Sequence, residues 1–296
     1  MIKLGDLILL LFILLSMDQS LAGQQEEIEN YYLELKSWHK ARTQDLKSVD
    51  GWFTVQGLFW LRKGDNRIGS GMRNDLVFPK NAPEFWGNIR LQKDTAHFLP
   101  NEGLGPANKG YQVTFLDYMT FPPTSISYKN LTWHLLKRGE KIGVRLRDTL
   151  HPERFSFDSV PYFTINPTWK MPAKFIASSE TDSIQINNVL GMRFSRRPAG
   201  YIDINLEGQI YRLSVLDAGN KYMLIFSDGT TGMETYGGGR YLYIEKPKDG
   251  LNFYIDFDKA ENPPCAFTAF ATCLLPPREN KLPFRVEAGE LNYHHH

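Results

Sequence analysis

The most polar segment of the chain is a glycine-dense loop at residues 228–241, which separates an apolar run ending at Phe226 from another that begins at Tyr241. Its candidate site residues are Asp228, Glu234, Thr235, Arg240 and Tyr241. Glycine allows close approach of the backbone to a ligand, loop N–H groups cradle anions, and arginine grips a carboxylate or phosphate with two hydrogen bonds. The alternative is a bulged turn whose Thr and Asp side chains bond their own backbone. The loop carries neither a P-loop nor a dinucleotide motif, so we expect no cofactor.

A pair of arginines forms the second candidate. Arg145 and Arg147 lie two residues apart in a predicted strand, so their side chains face the same side. Two guanidinium groups on one face are suited to clamp an anion. The alternative is a structural ion pair with Glu234 or Asp256, because half-buried arginines are usually paired.

The third candidate follows a predicted strand at residues 252–257. Alternation places Asp256 and Asp258 on one face, with Asn262 a few residues further on. Two such carboxylates could hold a divalent cation or act as an acid/base pair, and a turn-capping role is the bland alternative. The sparse histidines form no zinc motif, so no metal site is assigned.

These three segments give a set of candidate residues for two roles. The catalytic candidates are Asp228, Glu234 and Asp256. The ligand-binding candidates are Arg145, Arg147, Thr235, Arg240, Tyr241 and Asn262. Because strand ends meet at the rim of a sandwich or barrel, we predict that Arg240, Glu234 and Asp256 converge with at least one of the two paired arginines around one concavity.

The N-terminus has the pattern of a secretory signal peptide over residues 1–22. Lys3 precedes the unbroken apolar run Leu7–Leu15, and Ser20-Leu21-Ala22 places small residues before a cleavage point. Nine apolar residues are too few to span a bilayer, which needs about 20. We therefore expect export to the periplasm or the extracellular space, with no transmembrane span in the mature chain. A buried N-terminal helix or a retained anchor is the alternative.

Two cysteines, Cys265 and Cys273, complete the list of reactive side chains. Export would place them in an oxidising compartment, where a close pair is expected to form a disulfide. A thiol nucleophile or a pair of metal ligands is the alternative, although seven intervening residues match no common zinc spacing.

Composition limits the class of protein. The chain of 296 residues is 42% hydrophobic, which suffices for one large core or two smaller ones. Its 34 basic and 33 acidic residues give a net charge of +1, which argues against a general nucleic-acid or anionic-membrane binder.

The pattern of elements predicts a mainly β protein. An amphipathic helix is expected over residues 23–50, followed by short runs rich in β-branched and aromatic residues that turn signals separate. This spacing is typical of an antiparallel sandwich or barrel. We predict two packed β-units, at residues 51–123 and 124–290, the second carrying the candidate site. Residues 291–296 are interpreted as a tail whose terminal histidines are a candidate purification-tag remnant.

Four segments carry a family resemblance: GWFTVQGLFWLRKGDNRIGS (51–70), RLRD (145–148), FSDGTTGMETYGGGRYLY (226–243) and DFDKAENPPCAFTAFATCLLPPRENKLPFRVEAGE (256–290). Together they resemble the bacterial and archaeal domain-of-unknown-function family numbered 1684. The likeness covers most of the mature chain and implies no activity. In the family pattern, Asn stands at the position of Asp258 and Tyr at the position of Glu261.

A second resemblance concerns residues 51–121. The stretch 64–70, followed by 74–77, is similar to the opening of forkhead-associated β-sandwich domains. Ser70 stands where those domains carry an arginine, and no Ser-x-x-His follows. The resemblance therefore implies a sandwich without phosphopeptide binding.

Two functions follow as expectations. The first is an exported β protein with a site for a small anionic or polar molecule, which would be an enzyme if the carboxylates are catalytic. The alternative is a non-catalytic structural or interaction module of the cell envelope, whose polar clusters only hold loops together.

Overall fold

Short alternating strands and one long helix make up the protein, as the sequence predicts. The computed structural model describes residues 4–93, 95–104, 111–114, 125–247 and 252–293. The helices are α1 (Leu4–Lys47) and α2 (Pro152–Ser156). The strands before residue 150 are β1 (Val55–Trp60), β2 (Gly64–Gly69), β3 (Leu76–Val77), β4 (Gly87–Gln92), β5 (Thr95–Pro100), β6 (Tyr111–Thr114), β7 (Ser125–Tyr128), β8 (Leu131–Arg138) and β9 (Lys141–Asp148). The later strands are β10 (Lys170–Ala177), β11 (Ile184–Asn187), β12 (Arg193–Arg196), β13 (Gly200–Leu206), β14 (Gln209–Ala218), β15 (Lys221–Phe226), β16 (Arg240–Glu245) and β17 (Asn252–Asp256).

The first nine strands form a β-sandwich. One sheet has the order β1-β9-β8-β7 and the other β3-β2-β4-β5-β6. Alternate residues of both sheets point into a shared core, in which the rings of Trp86 and Trp133 meet edge to face at 6.4 Å. The sandwich extends to Asp148 because β7, β8 and β9 complete the sheet that β1 begins. The boundary predicted at residues 123–124 therefore falls within this unit, and those two residues lie outside the described part of the chain.

The second unit is a nearly closed barrel-like sheet. Its six strands follow the order β16-β15-β14-β13-β10-β17, and every pairing is antiparallel. Inward side chains fill its interior, and Ile202, Val215, Leu224 and Ile255 are completely buried. The hairpin of β11 and β12 lies outside this sheet. A packed interior leaves no room for a ligand, so any site must lie outside the barrel wall or at its ends.

Helix α1 closes the fold with its C-terminal half. Leu35 and Leu46 are buried, as the amphipathic pattern predicts. The helix begins further upstream than the predicted residue 23, and it ends at Lys47, close to the turn predicted at Asp50-Gly51. A Cβ atom at Gly51 would lie 2.2 Å from the Leu46 carbonyl oxygen, so only glycine fits this exit. Within the described part of the chain, no helix is both long and apolar enough for a membrane crossing.

A tyrosine joins α1 to the barrel through two carboxyl groups. The Tyr31 hydroxyl lies 2.8 Å from Asp256 Oδ1 and 3.0 Å from Asp258 Oδ2. One hydroxyl hydrogen serves only one of these oxygens at a time, so a proton on Asp258 completes the second hydrogen bond. Burial raises the pKa of Asp258 from 3.8 to about 6, against the opposing effect of the Tyr31 hydroxyl and the Asn166 N–H group.

This contact makes stability depend on pH. Since the folded pKa of Asp258 lies above its unfolded value, its contribution is complete below pH 3.8 and is lost as the pH rises through about 6. We predict that the free energy of unfolding of the wild type, relative to that of D258N, falls between about pH 4 and about pH 7. Urea unfolding of both proteins measures this difference. A difference that stays constant or rises would contradict the proton-dependent contact.

Candidate functional site

The glycine-rich loop forms a buried polar network around Asp228 and Arg240, in which the Arg240 Nε atom has no hydrogen-bond partner among the described residues. The Asp228 carboxylate accepts hydrogen bonds from the Val286 N–H group at 2.6 Å and from the hydroxyls of Thr230 and Thr231 at 3.0 Å. Arg240 contacts the same carboxylate at 3.4 Å and donates to the carbonyl oxygens of Val286 and Ala288. Both side chains of this ion pair are completely buried. The cluster matches the turn interpretation, in which polar groups hold the C-terminal segment against the barrel.

Removing the cation of this pair should be costly. R240M leaves the Asp228 carboxylate buried without its counter-charge, so we predict a loss of about 3–5 kcal/mol in the free energy of unfolding. R212M is the matched control, because Arg212 forms a solvent-exposed bidentate pair with Asp203 and should contribute no more than about 1 kcal/mol. Chemical denaturation measures both. Equal losses in the two variants would refute a structural role for Arg240.

The other predicted residues occupy separate places. Glu234 is partly exposed and pairs with Arg285 at 2.6 Å, while the Thr235 hydroxyl lies 3.0 Å from that of Thr230. The side chain of Asn262 donates to the Leu291 carbonyl at 2.7 Å. Asp256 lies at α1, beside a second cavity of about 680 Å³.

Charges in this second cavity balance. Four acidic and four basic side chains line it, among them Arg42, which contacts Glu261 at 3.4 Å and Glu290 at 2.9 Å. Burial raises the pKa of Glu261 to about 7. Since each charge type has an opposite partner nearby, the cavity offers no excess charge to a ligand.

Arg145 and Arg147 lie on the same face of β9 but contact different groups. Both guanidinium groups lie over the Trp52 ring, at 5.3 Å for Arg145 and 5.9 Å for Arg147. Arg147 Nη1 donates to the carbonyls of Asp50 and Gly51 and to the Thr54 hydroxyl, at 2.8–2.9 Å. Arg147 therefore fastens the segment after α1 to the sandwich.

Arg145 instead faces a cavity of about 1120 Å³ between the sandwich and the barrel. It is 6% exposed, and its Nε and Nη2 atoms have no hydrogen-bond partner among the residues that the structure describes. Burial, helped by Arg138 and Arg147, lowers the pKa of Arg145 to about 9, so the group is a cation at neutral pH. Burial with these same cations lowers the pKa of His134, its partner across β8 and β9, to about 4. The imidazole is thus neutral and leaves the charge of Arg145 uncompensated.

The two unpartnered atoms belong to one edge of the guanidinium group. Elsewhere in this protein the same edge grips a carboxylate: Arg90 Nε and Nη2 donate to Asp65 at 2.6 and 2.9 Å, and Arg212 does so to Asp203 at 2.8 Å for both. This fork is the usual geometry of arginine with a planar anion. Arg145 therefore presents an unused carboxylate-binding edge.

A second unpartnered donor lines the same cavity. Asn188 is 2% exposed, and its Nδ2 atom has no hydrogen-bond partner, although Oδ1 accepts from the N–H groups of Leu190 and Met192 at 3.0 Å. Outward residues of β14, β15 and β16 supply an apolar wall that includes Leu216, Met223 and Tyr241. Tyr241 is the other predicted residue at this cavity, and its hydroxyl donates to the Leu274 carbonyl at 2.8 Å.

The cavity is strongly cationic for a nearly neutral chain. In its described lining, five basic side chains face one acidic side chain, Asp217, whose carboxylate already accepts from Lys246 at 2.7 Å and from the Gly219 N–H group at 2.8 Å. The basic residues are Lys137, Arg138, Arg145, Arg196 and Arg197. Sequence analysis found only Arg145 of these, because Lys137 and Arg138 lie in β8, Arg196 ends β12 and Arg197 follows it, and only the fold brings these places together.

The cysteines beside Arg145 are free thiols, which differs from the predicted disulfide. Each backbone N–H group donates to the other sulfur, at 3.0 Å to Cys273 Sγ and at 3.4 Å to Cys265 Sγ. A hydrogen bond from the Cys273 thiol lowers the pKa of Cys265, and burial raises the pKa of Cys273. The two cysteines thus lie in contact, as the predicted disulfide requires, but no covalent bond joins their sulfur atoms.

The site residues therefore do not form the single predicted concavity. Arg145 and Tyr241 line the first cavity, Asp256 lines the second, and Arg240 and Glu234 line neither. Among the described residues, no group of three or more His, Cys, Asp or Glu side chains is placed to hold a metal ion.

Comparison with known proteins identifies a family. Residues 155–291 match the family model described as "Protein of unknown function (DUF1684)". This segment is similar to the DUF1684 family. The match, which confirms the resemblance predicted from the sequence, covers the barrel and the segment after it. Arg145 precedes the matched residues, so the cavity joins the DUF1684 segment to the sandwich.

Two further comparisons concern solved structures and curated proteins. An uncharacterised protein of Haloarcula marismortui, solved by solution NMR, shares 29% sequence identity, with 49% of this chain and 83% of that chain covered and a TM-score of 0.39. The comparison with curated proteins found no match.

Proposed function

We propose that the protein binds a small organic anion in the cavity between the sandwich and the barrel, with Arg145 as the anchoring group. The observation that carries this proposal is the buried, unused Nε–Nη2 edge of that side chain. A buried charge without a partner costs several kcal/mol, and a bound carboxylate, sulfonate or phosphate would supply the missing counter-charge. Asn188 adds a second donor, and the apolar wall favours a ligand with an apolar body.

The Cys265 thiol is the nearby group that could compete for Arg145. Its lowered pKa, to which Arg145 contributes, would allow a thiolate to balance part of the charge. Neither cysteine sulfur accepts a hydrogen bond from the Nε or Nη2 atom, however, so a thiolate leaves the planar fork unoccupied. We therefore assign the fork to a ligand, and C265S separates the two possibilities.

We also propose that the chain is exported and that Cys265 and Cys273 form a disulfide after export. The support comes from the signal-peptide pattern of residues 1–22 and from the contact between the two cysteines. Oxidation by a thiol–disulfide oxidant would remove both thiols, the sulfurs losing two protons and two electrons to that oxidant. Arg145 would then have only a ligand to balance its charge.

The binding proposal predicts a selective loss in one variant. Anilinonaphthalene sulfonate, a fluorescent anion with an apolar body, should bind the wild type in a saturable manner, and R145Q should weaken it at least about tenfold because a charge-assisted hydrogen bond is lost. The neutral analogue N-phenyl naphthylamine should bind both proteins equally. R212Q is the matched control at an exposed arginine, and C265S should retain the binding of the anion.

Stability provides the second readout of this experiment. Because R145Q removes an uncompensated buried charge, its free energy of unfolding should equal or exceed that of the wild type. Undiminished sulfonate binding in R145Q, or a clear destabilisation by that change, would refute the ligand role and favour the structural module.

Export and disulfide formation have their own test. The exported protein should begin at Gly23, and mass spectrometry without reductant should find both cysteines protected from alkylation. An intact N-terminus on exported material would overturn cleavage, and two alkylated thiols would overturn the disulfide.

A further inference from the structure

We infer that the ligand of the Arg145 cavity is an organic dianion, with an anionic group at each end of an apolar middle. This inference rests on the proposed function and names the class of molecule. It follows from the distribution of the five cations within the cavity, which lie at two depths.

Arg145 is the deep cation. It is 6% exposed, and its unpartnered fork accommodates one planar anionic group. A single small anion bound there would satisfy this edge completely. The other basic residues of the lining would then have no ligand group to contact.

The remaining cations surround the opening. Arg197 and the neighbouring Gly139 and Gly219 are exposed, whereas Arg138 and Arg196 are half-buried. Arg197 donates only weakly to Ser178, at 3.3 and 3.4 Å, and its charge also acts on the carboxylate of Asp182. A like-signed group of side chains at an opening attracts an anion by its summed field.

The distance between the two levels follows from the β8–β9 ladder. Arg145 pairs with His134, and four residues further along β8 Arg138 pairs with Lys141. At about 3.3 Å per residue, the backbone positions of Arg138 and Arg145 are separated by roughly 13 Å. A ligand with two separated anionic groups fits this spacing better than a compact anion such as sulfate or acetate.

Much of the remaining cavity lining is apolar. Leu216 and Met223 are paired across β14 and β15, and Phe194 faces the cavity from β12 with the Arg196 guanidinium 5.8 Å from its ring centroid. A ligand that is polar along its whole length would lose hydration at this surface without gaining hydrogen bonds. An aliphatic or aromatic spacer between two anionic groups matches all three zones.

Three molecules of equal chain length test this arrangement: suberate with two carboxylates, octanoate with one, and octanol with none. Each affinity is measured by competition with anilinonaphthalene sulfonate. We expect suberate to bind at least about tenfold more tightly than octanoate, because one additional charge-assisted contact changes the affinity by about that factor. Octanol should bind weakest. The double variant R196Q/R197Q should lower the affinity for suberate to that for octanoate and leave octanoate unchanged. R145Q should weaken both acids, and R212Q should weaken neither.

The outcomes separate the inference from the function on which it rests. If octanoate binds as tightly as suberate, or R196Q/R197Q weakens both acids equally, the opening only attracts anions and the dianion is wrong, while anion binding stands. If R145Q weakens the binding of the sulfonate but neither acid displaces it, the inference of a dianion is again wrong. If R145Q leaves sulfonate binding unchanged, the proposed function itself fails.

Discussion

The guanidinium of Arg145 is buried between two β-units, against the ring of Trp52 and with no acidic partner for its Nε and Nη2 atoms. Several features of the molecule serve to hold it there. β9 places it on the outer face of the sandwich, the outer wall of the barrel faces it, and Arg147 fastens the intervening segment at Asp50 and Gly51. A charge kept in this state costs folding free energy, and buried groups of this kind occur at functional sites as well as in structural networks.

Other buried arginines of the chain show what a structural role requires. Arg240 is completely buried, yet Asp228 and two carbonyl oxygens face it, and Arg42 lies between Glu261 and Glu290. In both cases the protein itself supplies the counter-charge. The contrast within one chain separates arginines that hold loops and helix α1 in place from Arg145, for which we propose a bound anion as the partner.

The sequence predicts elements whose signals are local. Alternation identifies the antiparallel strands, the amphipathic pattern and Gly51 locate the end of α1, and the spacing of Arg145 and Arg147 places them on one face. Their different roles depend on Trp52 and Thr54, more than 90 residues away in the chain, and on a cavity wall that only the packing of two sheets creates. The predicted single concavity did not form because Arg240 faces the Asp228 carboxylate, Asp256 contacts α1 and Arg145 lines the first cavity, and only the packing of distant segments sets these places apart.

The most direct measurement is the NMR signal of the Arg145 Nε–Hε group, assigned by its absence in R145Q. On titration of the wild type with suberate, this signal should move downfield to a saturating position, as expected for a donor that gains a carboxylate, while the signal of Arg147 stays in place. A signal of Arg145 that does not move when the cavity is saturated would contradict the account, because the buried fork would then not be the anchoring group.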